Sequence, residues 1–117
     1  MPDGDPPTTK SERERADPLP AQLRSLYADH QLLGPLVVEY VAALPEILAQ
    51  ITSAFESNEF VELKRLCHRL CGEAATFGFE QLALAARRLE IATAHSDLED
   101  LRDAQSYLMD CGRRIAV

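Results

Sequence analysis

Five positions within one short stretch have types and spacing suited to chemistry. His68 has Lys64 and Arg65 four and three residues before it, and Cys71 and Gly72 three and four residues after it. Residues three and four apart share a helix face, so in a helix these five positions form one surface, away from the apolar set Leu63, Cys67, Leu70, Ala74 and Phe77. An exposed histidine alone is ordinary. The glycine needs a reason, because glycine inside a helix costs about 0.5–1 kcal/mol relative to alanine. Helical side chains lean toward the N-terminus, so a side chain at 72 would lie over the turn that bears His68, and glycine leaves the imidazole open to a large partner. Such an imidazole suits nucleophilic attack on a phosphoryl group held by another protein. Imidazole has an unperturbed pKa of about 6.5, so much of it is uncharged near neutral pH, and Lys64 and Arg65 supply positive charge for the phosphoryl oxygens. Cys67, His68 and Cys71 also form a thiolate and imidazole set of the kind zinc takes, but a tetrahedral site needs a fourth ligand and no paired spacing elsewhere offers one. No metal is expected, and Cys67 and Cys111 are expected to be small buried hydrophobes.

The stretch from Cys67 to Leu89, CHRLCGEAATFGFEQLALAARRL, resembles the histidine phosphotransfer (HPt) domains of two-component phosphorelays. Their pattern is His-x-Leu-Lys-Gly with a second glycine ten residues after the histidine, and His68, Leu70, Gly72 and Gly78 fall on it in register. The likeness extends more loosely over about 36 to 115, including Leu44, Pro45 and Glu46. It implies a helical bundle that accepts a phosphoryl group on His68 from a receiver-domain aspartate and passes it to another receiver. The implied partners are receiver domains of response regulators or hybrid histidine kinases, with magnesium on the receiver and no cofactor on this chain. It also implies a phosphocarrier with no nucleotide site and no autokinase activity. Two positions depart from the pattern: Cys71 stands where the family has Lys, and Glu73 where it has a small residue. A Lys at 71 would lean back toward His68, whereas Arg65 must reach against the tilt of helical side chains. The exchange is expected to cost roughly 1 kcal/mol, slowing transfer about fivefold to tenfold. Glu73 is expected to point away from His68.

Four long amphipathic helices would have to position this surface. Residues 1–20 hold five of the seven prolines and almost no large apolar side chains, so they are expected to form a flexible tail, with the bundle over 21–117. Leu23, Leu26, Tyr27 and Leu33 predict a short extra N-terminal helix closed by Gly34 and Pro35. Val37, Tyr40, Val41, Leu44, Leu48, Ile51 and Phe55 predict one helix over about 36–56, bent but unbroken at Pro45. Ser57 and Asn58 are expected to cap the next helix, which carries His68 and ends at Gly78. A further helix over roughly 79–94 would turn Phe79, Leu82, Ala86 and Leu89 inward and Arg87, Arg88 and Glu90 mostly outward. Ser96 with Glu99 fits a capping box opening the last helix, along Leu98, Leu101, Leu108 and Ile115. Short connections force neighbouring helices to run in opposite directions, so the predicted fold class is all-α, an antiparallel four-helix bundle.

Composition narrows the function further. The net charge of -7 leaves no broad basic surface for nucleic acid or anionic lipid. Three cysteines, no secretory segment and no run of 18 or more apolar residues point to a reduced cytoplasm and to no membrane span. There is no glycine-rich phosphate loop, no nucleophile elbow and no close carboxylate pair in an apolar stretch. His30 and His95 have no evident partners. A monomer is expected. The rival reading is a non-enzymatic adaptor, either an HPt-derived domain that binds signalling partners without carrying phosphate or a plain helical module.

Overall fold

The connections between helices explain the arrangement. A computed structural model describes residues 19–95 and 97–117, in the order β1 (Leu23–Arg24), α1 (Gly34–Glu56), α2 (Phe60–Thr76), α3 (Glu80–Ala92), α4 (Leu98–Arg114) and β2 (Ile115–Ala116). Only three residues separate α1 from α2 and α2 from α3, so each helix must double back on the one before it. Each of those connections opens with the same turn. Asn58 (φ 56°) and Gly78 (φ 83°) take the left-handed conformation; the next residue's N–H, of Glu59 or Phe79, bonds back to Ala54 or Ala74 respectively, at 2.9 and 2.8 Å. This is the Schellman arrangement, in which a left-handed residue ends a helix and satisfies its orphan carbonyls. Asn58 therefore closes α1 instead of capping α2, a correction to the expectation; α2 opens at Glu59 with no side-chain cap.

The helices close into a ring. α2 packs most extensively on α3, α3 on α4, and α1 completes the circuit against α2 and α4. The core is their shared interior: Val37, Leu44 and Ile51 from α1, Leu63, Cys67 and Leu70 from α2, Leu82, Ala86 and Leu89 from α3, and Leu101, Leu108 and Cys111 from α4 are all buried. Each large aliphatic side chain in that set contributes about 1.5–3 kcal/mol by leaving water. α1 runs without a break through Pro45. By length and composition α1 could cross a bilayer, but its inward stripe closes this core. Leu98 is 58% exposed at the first turn of α4, and the buried stripe of that helix starts at Leu101. That helix is capped by Asp97, whose Oδ1 accepts from the N–H groups of Glu99 (3.0 Å) and Asp100 (3.1 Å). Ser96, expected as the cap, lies outside the described residues.

The short N-terminal helix is not formed. In its place Leu23–Arg24 pairs in parallel with Ile115–Ala116, and turns follow up to α1. The reason is tertiary: a segment of about a dozen residues gains little from helix formation alone, whereas here its polar groups find partners on the bundle. Ser25 Oγ donates to the carbonyl of Phe77 (2.5 Å) and accepts from Tyr27 N–H, and Leu26 N–H donates to Gly78 O (3.0 Å). Gly78 makes this contact possible, since a Cβ there would lie 2.7 Å from Ser25 Oγ and 2.9 Å from the Tyr27 ring. The tail expected over 1–20 lies outside the described residues as far as residue 18; the carbonyls of Leu19 and Pro20 accept from Arg114 Nη1 at 3.4 and 3.0 Å.

Candidate functional site

The outward face of α2 is set by its own periodicity. Leu63, Cys67, Leu70 and Ala74 are each fully buried against the other helices, so His68, one residue off that stripe, projects outward with its side chain 77% exposed. Its Nδ1 lies 2.8 Å from Glu90 Oε2 on α3. No hydrogen bond engages Nε2 among the described residues. Glu90, expected to face mostly outward, has a side chain only 18% exposed, held beside α2. Its position follows from α3 itself: Ala83, Ala86 and Glu90 step by three and four residues along the edge that meets α2, the first two of them buried. The separation of 2.8 Å is that of a charge-assisted hydrogen bond. An ionised Glu90 can only accept, so the contact calls for a proton on Nδ1, and in the neutral ring the lone pair is then at Nε2.

The other residues singled out in the sequence fall into two groups. Lys64 joins His68 and Glu90 in lining a shallow cavity of about 340 Å³, whose remaining wall includes Arg87, Ile91 and His95. Arg65 is not directed there. Its Nε and Nη2 donate to the two carboxylate oxygens of Glu62 at 2.8 and 2.6 Å, and this pairing holds the Glu62 carboxyl below its usual range. Arg69 likewise bonds Glu73 Oε2 at 3.1 Å. Glu73 is turned toward α1, where burial first and its negative charge second raise the Tyr40 hydroxyl; the Tyr40 ring stacks on Phe77 with centroids 4.5 Å apart. At Gly72 a Cβ would meet nothing within 4 Å, so the space above that turn of α2 is open. Cys71, beside it, is partly exposed.

Cys67 is buried, and burial, with the nearby Glu90 charge, pushes its thiol up to about 12. It is therefore a neutral packing group near pH 7, not a thiolate ligand. Among the described residues no group of three or more His, Cys, Asp or Glu is placed to hold a metal ion. His30, far along the chain, has a structural role, because its Nδ1 accepts from the N–H groups of Leu32 and Leu33 just before α1, each at 3.1 Å. His95 shares the cavity of His68.

The arrangement presents one exposed imidazole, held at Nδ1 by a carboxylate and bordered by a lysine and an arginine, on the surface of a four-helix bundle. The chain matches the family model described as Hpt domain over residues 35–113. No curated protein and no solved structure gives a significant match.

Proposed function

The chain belongs to the Hpt domain family, phosphocarriers of two-component signalling that work with receiver domains, and on that premise we propose that His68 is the residue that takes and returns the phosphoryl group. The observation that carries this reading is the 2.8 Å contact between His68 Nδ1 and Glu90, with the rest of the imidazole exposed. In the forward step the Nε2 lone pair attacks the phosphorus of a receiver aspartyl phosphate. The phosphorus–oxygen bond breaks, and its electron pair leaves with the aspartate carboxylate. The Nδ1 proton stays on the ring, and the positive charge that grows on the imidazole is met by the Glu90 carboxylate. The return step to a second receiver reverses these movements. Gly72 keeps the approach open, Lys64 faces the incoming phosphoryl oxygens, and Cys71 borders the same approach. The divalent cation needed for the receiver's acyl phosphate is the receiver's own. The exchange takes place in the cytoplasm, with this chain acting as a monomer.

Cys71, in the place of the family's Lys, is the one feature that favours the rival reading of a binding module without phosphotransfer. Phosphorus NMR after incubation with a phosphorylated receiver separates the two, since a phosphoramidate on Nε2 is distinct from one on Nδ1. The expected result is a single Nε2 signal in the wild type. Glu90→Ala is expected to accept phosphate about tenfold more slowly, because a charge-assisted hydrogen bond is worth about 1.5–3 kcal/mol and this one is partly open to water. Glu90→Gln, which keeps an acceptor for Nδ1–H but not the charge, is expected to fall between. No signal, or a signal on Nδ1, would contradict the assignment.

A further inference from the structure

Phosphorylating His68 places roughly 1.5 to 2 negative charges beside a carboxylate that is already there, on a chain of net charge -7. A cation close by would stabilise that product beyond what the ring's own positive charge offsets, and Cys71, one turn along the same face, supplies none. Arg65 is turned to Glu62, which its Nε and Nη2 bond, and Arg69 is bound to Glu73. Arg88 lies against the ring of Tyr107, 5.5 Å from its centroid. Two cations remain in the cavity that holds His68: Lys64 of α2 and Arg87 of α3. Both are exposed, and neither makes an ion pair among the described residues.

We propose that Arg87 binds the phosphoryl oxygens on His68 and stands in for the cation missing at position 71. This rests on His68 being the acceptor. Arg87 precedes Glu90 by three residues, so the two side chains leave adjacent turns of the same helix face, with Cβ atoms about 5–6 Å apart. Glu90 touches the ring, and the longer Arg87 side chain starts one turn further along, within the same cavity. A guanidinium suits this role better than an ammonium would, because its planar fork matches two phosphoryl oxygens and it never loses its charge. Arg87 and Glu90 then act on opposite sides of one transfer: the carboxylate meets the positive charge on the ring, and the guanidinium meets the negative charge on the phosphoryl group.

The test uses phosphoramidate as donor, so that no receiver has to dock, and a phosphorylated receiver as the second donor for comparison. Nε2 attacks its phosphorus, the phosphorus–nitrogen bond breaks and ammonia leaves. Labelling rate and the lifetime of the purified phosphoprotein are compared for wild type, Arg87→Ala, Arg87→Lys and Arg65→Ala, at low and high salt, with thermal melting as the control for folding. Arg87→Ala is expected to label about fivefold to tenfold more slowly at low salt, with unchanged melting, and the deficit is expected to shrink at high salt. Arg87→Lys is expected to recover part of the loss, and Arg65→Ala to stay within about twofold of wild type. Equal labelling of wild type and Arg87→Ala would overturn the role of Arg87 alone. A deficit in Arg87→Ala that appears only with a receiver as donor would overturn it too, by making Arg87 a docking residue. A wild type that takes no label from either donor would remove the acceptor assignment and this inference together.

Discussion

Gly72 and Gly78 lie six residues apart in one motif, and the regions around them are opposites. At Gly78 the chain is closed: the left-handed turn, the Ser25 hydroxyl, the Tyr27 ring and the backbone of Leu26 crowd the position from the N-terminal segment. At Gly72 nothing lies within 4 Å of where a Cβ would be, and the neighbouring imidazole is open to solvent. One glycine is required by the fold of this chain. The other is not, and the open space it leaves beside His68 is what the proposed approach of a partner uses. The same contrast separates the polar groups of the two regions, since those around Ser25 are satisfied internally while His68 Nε2, Lys64 and Arg87 face outward without partners among the described residues.

The largest effect expected from this contrast is on stability at the closed end. Gly78→Ala forces a side chain into a left-handed conformation against Ser25 and Tyr27, and should cost about 1–3 kcal/mol, read as a lowered melting midpoint. Phosphotransfer measured well below that midpoint should survive. Cys71→Lys probes the open region: restoring a cation that leans toward His68 is expected to speed transfer about fivefold to tenfold with little change in melting. A decrease would mean that the cysteine suits the docking surface as it is. The smallest effect is expected for Gly72→Ala, which should stabilise the isolated protein by about 0.5–1 kcal/mol because the new methyl meets nothing. It should nonetheless slow transfer from a receiver. If Gly72→Ala stabilised the protein and left transfer unchanged, the open region would lose its functional meaning.

Much of this is legible in the residues. The stripes from Val37 to Phe55 and from Leu63 to Phe77 mark two helices within a few residues of their ends, and His68 falls off its stripe by simple periodicity. The N-terminal segment misleads because its four apolar residues mimic a helical period, while its conformation is decided by Ser25 and Gly78, more than 50 residues apart. Asn58 reads as belonging to the wrong helix because asparagine serves both as an N-cap and as a left-handed helix terminator, and only the backbone angle tells them apart. Glu90 is hidden for a similar reason. A charged residue next to the stripe reads as solvated, although its place four residues after the buried Ala86 is a usable signal. The pairing of Arg65 with Glu62 can also be anticipated from their spacing of three residues, which brings opposite charges together on a helix surface.

Whether His68 both receives and returns phosphate is read from a two-receiver relay. Radiolabelled, phosphorylated donor receiver is mixed with this protein and a second receiver, beside a His68→Gln variant, with alkaline quench of one portion so that only phosphohistidine keeps its label. Label that passes through an alkali-stable form on the wild type and then reaches the second receiver, with neither event in the variant, is the predicted result. Label that reaches the second receiver equally well with His68→Gln, or receivers that bind the wild type without ever labelling it, would rule out His68 as the carrier.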